Sequence, residues 1–292
     1  MPTLDAPVGT PAADAVLLRA RGENFPVALR LLGPRTRMDL LAIYGFARLV
    51  DELGDSYAGD RLAALDWVQE ELGRAFQGTA RHPLLMALTP ALHRHALTPE
   101  PFVRLIEANR MDQRVARYET WEQLRGYCSL SADPVGELVL AMFGVRDQRR
   151  IELSNSVCTA LQLAEHCQDV AEDLASGRIY LPAEDLRRFD VAESDLAAAH
   201  AGPAVRGLVA FELGRARELL RAGAQLVGEL PLRAGFAVAA FIAGGRAALD
   251  AIERADCDVL AGSPRPTRLM LARELLVGLG ERRRGVAGRA RP

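Results

Sequence analysis

The chain has 292 residues, a formal net charge of −2 and 49% hydrophobic residues. That length holds one large domain or two ordinary ones, with a core wide enough for a cavity. The near-neutral charge argues against nucleic acid as a partner, which leaves a basic footprint. Every Lys/Arg-type cation is an arginine, so Schiff-base catalysis and a phosphate-loop lysine are excluded.

Residues 1–12 are rich in Pro and Gly and read as a flexible arm. Residues 1–20 show no basic stretch followed by an apolar core, so no signal peptide is expected. Helical periodicity then dominates. It runs through 37–57, 59–78, 82–97, 99–118, 120–144, 147–177, 193–230 and 232–262, with breaks at Gly and Pro. The most apolar run, 234–245, is too short to span a bilayer and reads as a core helix built on small residues. No strand pair, internal repeat or Gly-rich strand–helix turn is evident. The end, 281–292, is rich in Arg and Gly and is expected to be a disordered basic tail. One all-α domain over 13–280 is the simplest organisation. The four cysteines, Cys128, Cys158, Cys167 and Cys257, form no C-x-x-C pair. That suits a reducing cytoplasm and offers no zinc site.

Two segments carry the chemistry. In "YGFARLVDELGD", Tyr44, Arg48, Asp51 and Asp55 are spaced by four, three and four, which aligns them on one helical stripe beside Glu52. In "AEHCQDVAEDLASGRIYLP", Asp169 and Asp173 repeat the D-x-x-x-D spacing. Glu165 lies one turn earlier, Glu172 beside them, and Arg178 and Tyr180 follow Gly177. Like charges one turn apart cost a helix roughly 0.2–0.5 kcal/mol per pair, and burying them costs far more without compensation. A hard cation such as Mg2+ is the natural compensation, because it takes one or two carboxylates and leaves positions for phosphate oxygens. A diphosphate held there becomes a good leaving group, and Arg48 and Arg178 are placed to add bidentate contacts. A single D-x-x-x-D is ordinarily a solvated face; two, each in apolar sequence with Arg and Tyr nearby, favour a metal–diphosphate site.

These segments resemble the squalene/phytoene synthase family, the head-to-head class of isoprenoid synthases. The resemblance runs from Glu23 to about Leu260. "AIYGFARLVDELGD" is similar to the first Asp-rich motif, "QDVAEDLASGRIYLPAEDLRRF" to the second, "RYETWEQLRGYCSLSADPVGELVL" to the central segment, and "GGRAALDAIERADCDVL" to the late helix. The opening "ENFPVA" is most like the bacterial hopanoid-pathway branch that converts presqualene diphosphate to hydroxysqualene. Two departures stand out: Glu52 occupies a position that is often Asp, and Glu165 one that is often Asn.

The resemblance implies a single-domain isoprenoid-synthase helical bundle around a central hydrophobic cavity. It implies that Asp51, Glu52, Asp55, Asp169 and Asp173 bind Mg2+–diphosphate, with Glu165 either a further ligand or none. Tyr44, Arg48, Arg178 and Tyr180 are the implied catalytic residues. Tyr127 and Gln168, with Arg48 and Arg178, are the implied substrate-binding ones. The expected reaction ionises a prenyl diphosphate, guides the cation through rearrangement and quenches it with water. Presqualene diphosphate synthase and phytoene synthase stand as alternatives on the same scaffold, and a catalytically silent helical assembly module as a non-enzyme one. The substrate and product are greasy, so peripheral membrane contact from the cytoplasm and coupling to other hopanoid-pathway enzymes are further expectations.

Other residues have blander readings. His166 orients a carboxylate or a water, or simply packs. His93 and His95 are two apart and share no helix face. Tyr118 and Tyr127 face a cation or fill core. Asp112 and Arg117 form a helical ion pair or a pocket rim. Trp67 and Trp121 are packing residues.

Overall fold

Helix signals at the ends of the periodic segments set the architecture. Asp60 caps one helix by accepting from the Ala63 amide, Thr120 caps another through Gln123, and Asp147 a third through Arg150. Pro34, Pro83, Pro99 and Pro203 open four helices at their first position, where the missing N–H costs nothing. The computed structural model describes residues 6–18 and 32–289. The "ENFPVA" segment, 23–28, lies outside them.

The described residues form fourteen α-helices: α1 (Ala13–Leu18), α2 (Pro34–Asp55), α3 (Arg61–Phe76), α4 (Pro83–Arg94), α5 (Pro99–Asp112), α6 (Trp121–Ser131), α7 (Asp133–Met142), α8 (Gln148–Gln168), α9 (Val170–Ala175), α10 (Ala183–Arg188), α11 (Pro203–Gly223), α12 (Leu226–Glu229), α13 (Leu232–Arg254) and α14 (Arg268–Arg289). A short 3-10 turn covers Glu193–Ala197. Among the described residues no strand forms, and extended pairing is limited to one parallel bridge between Arg117 and Ile179.

Several expected elements divide. The segment 99–118 is helical only to Asp112, turns at 113–114 and then runs extended. The segment 120–144 breaks at Ala132 into α6 and α7. The segment 147–177 breaks at Asp169. At the basic end the helix runs through Arg289, because arginine is a good helix former and two glycines do not interrupt the run. The chain groups into two compact units, Met1–Val115 with Pro134–Arg146, and Ala116–Asp133 with Asp147–Pro292.

In the first unit, α2 turns Leu40, Ile43, Phe46, Leu49, Val50 and Leu53 into the core. Each such burial contributes about 1.5–3 kcal/mol. Phe46 meets Phe102 of α5 edge-on at 5.1 Å. Asp39 ties α2 to the end of α4 through Arg94 and His95, the latter at 2.8 Å. Burial pushes the Asp39 carboxyl up, but the hydrogen bonds from Arg94 and His95 together hold it below the usual range. Trp67 is buried edge-on to His82, as a packing residue should be.

In the second unit, α8 is the central element. Glycines let its neighbours approach: a Cβ at Gly223 of α11 would lie 2.8 Å from the Leu153 carbonyl, and one at Gly245 of α13 would lie 2.5 Å from Leu161. The helix α13 is long and apolar enough to cross a membrane by composition, yet 78% of its most apolar window is buried, which makes it a core helix. Arg215 lies over Trp121 at 4.5 Å and bonds Asp185 and both oxygens of Glu212, joining α10 to α11. Burial pushes the Glu212 carboxyl up to about 8; Arg215 opposes this and Asp185 adds to it. All four cysteines are free thiols, and burial pushes that of Cys128 up to about 12.

Candidate active site

The first acidic face lies on the last three turns of α2, within the first unit. Tyr44, Arg48, Asp51 and Asp55 follow one another along the helix at the spacing read from sequence, and none of the four is buried. Glu52, beside them, is 7% exposed. Arg48 stands 4.0 Å from Asp51 and 3.9 Å from Glu52, too far for a tight ion pair. The side chain of Asp51 remains 46% exposed.

What sets Asp51 is a residue that sequence reasoning missed. Asn109 of α5 donates to the Asp51 carboxylate at 3.3 Å and to its own helix at Leu105. Gln113 donates to the Gly54 carbonyl at 3.0 Å. This close approach requires Gly54, where an added Cβ would lie 2.0 Å from Asn109 Oδ1.

The second acidic face lies at the end of α8 and in α9, within the second unit. The expected continuous helix is interrupted at Asp169, which leaves helical geometry between the two. The break falls where the chain at 263–264 is tied on: Ser263 donates to Asp169 at 2.8 Å, and the buried Gln168 amide donates to the Pro264 carbonyl. Asp173 still follows one turn later, its amide donating to the Asp169 carbonyl at 2.8 Å. Asp169 and Asp173 are half-buried, whereas Glu165 is exposed.

After Asp173 the chain turns at Gly177, whose φ of 81° is a left-handed conformation suited to glycine. Arg178, Ile179 and Tyr180 then run beside the extended stretch 116–119. The Ile179 amide donates to Ala116 at 3.0 Å and the Ala183 amide to Tyr118 at 2.9 Å. Arg117 donates to the Gly177 carbonyl at 2.7 Å and pairs with Glu193 through two bonds, so its partner lies far along the chain.

This pairing builds a four-ring cluster. Tyr180 stacks with Tyr118, at 5.9 Å and 22°, and with His166, at 4.1 Å and 9°. Tyr127 of α6 is 5.4 Å from both Tyr118 and Tyr180. All four rings are buried. Burial pulls the His166 imidazole down to about 3, so it is neutral at ordinary pH. Two of these residues, Tyr127 and Tyr180, are candidates from the sequence. Tyr118 and His166 are weighed from the sequence too, His166 as a residue that orients a carboxylate or a water or packs, and the structure places both in this cluster.

Among the described residues, no three His, Cys, Asp or Glu side chains converge into a ready-made metal cage. The acidic faces instead offer oxygen donors, most of them at least partly open to solvent. That is a donor set for a cation completing its shell with water and substrate oxygens, which fits Mg2+.

The model of the squalene/phytoene synthase family matches residues 18–272. The chain belongs to this family. Hydroxysqualene synthase from Zymomonas mobilis is 34% identical over 217 residues, 71% of each chain. A phytoene synthase from Arthrospira platensis is 32% identical over 252 residues, 81% of this chain and 82% of that one. The solved squalene synthase HpnC from Alicyclobacillus acidocaldarius is 46% identical with a TM-score of 0.76, over 84% of this chain and 94% of that one. As a member of the squalene/phytoene synthase family the protein is an isoprenoid synthase with an all-α isoprenoid-synthase fold, and the family acts on prenyl diphosphates.

Proposed function

We propose that this isoprenoid synthase ionises presqualene diphosphate in a Mg2+-dependent reaction and that water ends the rearranged cation as an alcohol, hydroxysqualene. The observation that carries the reading is the relatedness to a squalene synthase at 46% identity, together with a curated relative named hydroxysqualene synthase. The paired aspartates support it chemically. Mg2+ held by either aspartate pair, Asp51 with Asp55 or Asp169 with Asp173, would neutralise charge gathering on a diphosphate as the C–O bond breaks. Glu52 is buried beside Arg48, and in this reading it orients Arg48 and does not bind metal. Arg48 and Arg178 hold diphosphate oxygens, and Tyr44 stands one turn before Arg48 on the same stripe. Tyr127 and Tyr180 present ring faces to the cation. Gln168, its amide committed to Pro264, supports the 263–264 segment against Asp169.

The enzyme works in the cytoplasm at a membrane surface, because both ends of the reaction are greasy, and passes its product to later hopanoid-pathway enzymes. Phytoene synthase is the second reading, favoured by the relative from Arthrospira platensis that matches more of the chain. The test is incubation of the full chain with Mg2+ and either presqualene diphosphate or farnesyl diphosphate, without NADPH, in 18-O water. Labelled hydroxysqualene from presqualene diphosphate is the expected result. Presqualene diphosphate made from farnesyl diphosphate, or unlabelled hydrocarbon alone, would overturn it.

A further inference from the structure

The helix α8 turns Val157, Ala160, Leu163, Ala164 and Cys167 into the core. His166 shares that buried surface, at 5% exposure. Its Nε2 lies 3.0 Å from the Gln162 amide nitrogen. With that nitrogen donating, Nε2 accepts and Nδ1 carries the hydrogen. Nδ1 is fully enclosed, yet among the described residues it has no hydrogen-bond partner. A leucine or phenylalanine would fill this place without an idle donor. A buried polar group left unmatched is costly, and such breaches of local design gather at functional sites.

The position beside the rings gives the donor a use. The imidazole lies flat on Tyr180 at 4.1 Å and is 6.2 Å from Tyr127. These ring faces are electron-rich and can flank a cation, but they supply no nucleophile. Buried waters occur where an enclosed polar group lacks a protein partner.

We propose that the Nδ1–H of His166 holds the water that ends the reaction, beside the Tyr127 and Tyr180 rings. This rests on the water-quench reading above. The water oxygen accepts the hydrogen bond from Nδ1 and keeps a lone pair for the cation. That lone pair forms the new C–O bond, one O–H bond breaks, and the proton leaves to the diphosphate released on ionisation. Water enters and no other reactant is needed.

Two variants separate this role from packing. His166→Phe keeps a flat ring on Tyr180 and deletes Nδ1. His166→Asn deletes the ring and keeps an amide N–H near the place of Nδ1. Each full-length protein is given Mg2+ and presqualene diphosphate in 18-O water, and labelled alcohol is counted per diphosphate released. That ratio is independent of how fast a variant turns over. The expected result is a roughly tenfold fall in the ratio for His166→Phe, the size of one lost hydrogen bond, with hydrocarbon from proton loss taking its place. His166→Asn should stay within about twofold of wild type, the donor being kept. Should His166→Phe fail to fold, His166→Leu reads the same loss. An unchanged ratio in His166→Phe, or loss in His166→Asn alone, assigns the residue to packing and overturns the proposal. If wild type itself makes no labelled alcohol, the quench reading fails first, so the two failures are told apart.

Discussion

Gly54 sits between Asp51 and Asp55, and its missing side chain lets α5 close on the acidic face. A Cβ there would lie 2.0 Å from Asn109 Oδ1, 2.9 Å from its Cγ and 3.1 Å from its Cβ, so the whole Asn109 side chain would have to move. Overpacking of this kind costs about 1–3 kcal/mol. Alanine's better helix propensity returns at most about 1 kcal/mol, and less at the penultimate residue of a helix. Gly54→Ala should therefore lower stability by a net ~1–2 kcal/mol, a drop of roughly 2–8 °C in Tm. Asn109→Ala alone should also destabilise, by ~1–2 kcal/mol, through its lost bonds to Asp51 and Leu105. In the Asn109→Ala background Oδ1 and Cγ are gone and only the Cβ at 3.1 Å remains, so adding Gly54→Ala should cost far less there than in wild type. Thermal unfolding of the four proteins, followed by circular dichroism, gives the coupling, expected at about 1 kcal/mol or more. If Gly54→Ala destabilises both backgrounds equally, the clash with Asn109 is not what holds that position as glycine.

Three further outcomes are expected. Turnover should vanish in EDTA and return with added Mg2+; full turnover in EDTA would remove the metal from the reaction. Asp51→Asn and Asp169→Asn should each lower kcat/KM by at least ~100-fold, the scale of losing a charge-stabilising group, with the helical spectrum intact; wild-type rates in either would return that helix to a solvated face. For Glu212 the folded carboxyl is raised, to about 8 from the ordinary 4.5. The folded state thus holds a proton that the unfolded chain has released, and the stability it contributes is complete below about 4.5 and lost as pH rises through about 8. Tm should accordingly fall between pH 5 and pH 8.5 more steeply in wild type than in Glu212→Gln. Parallel profiles for the two would contradict this.

The sites show how far a local pattern reaches. Tyr44, Arg48, Asp51 and Asp55 share a stripe because a helix repeats every 3.6 residues, and the structure keeps that stripe unchanged. Asp169 and Asp173 keep their one-turn spacing too, but the helix beneath them breaks. The cause is Ser263 and Pro264, 94 and 96 residues from the side chains they tie. Nothing in the local spacing carries that contact.

By itself, then, the order of apolar, acidic and helix-stopping residues determined an all-α chain, the two aspartate pairs and membership of the squalene/phytoene synthase family. Each of these is written in stretches of a few turns, where covalent neighbours are also spatial ones. Tertiary structure alone decided that Asn109, 58 residues from Asp51, holds its carboxylate. It also decided that the chain returns at 116–119 to pair with the segment after Asp173, bringing Tyr118, Tyr127, His166 and Tyr180 into one buried cluster. Such contacts depend on which helix faces dock and how closely glycines let them approach. Docking is settled by the packing of the whole core and is not encoded in any single stretch of sequence.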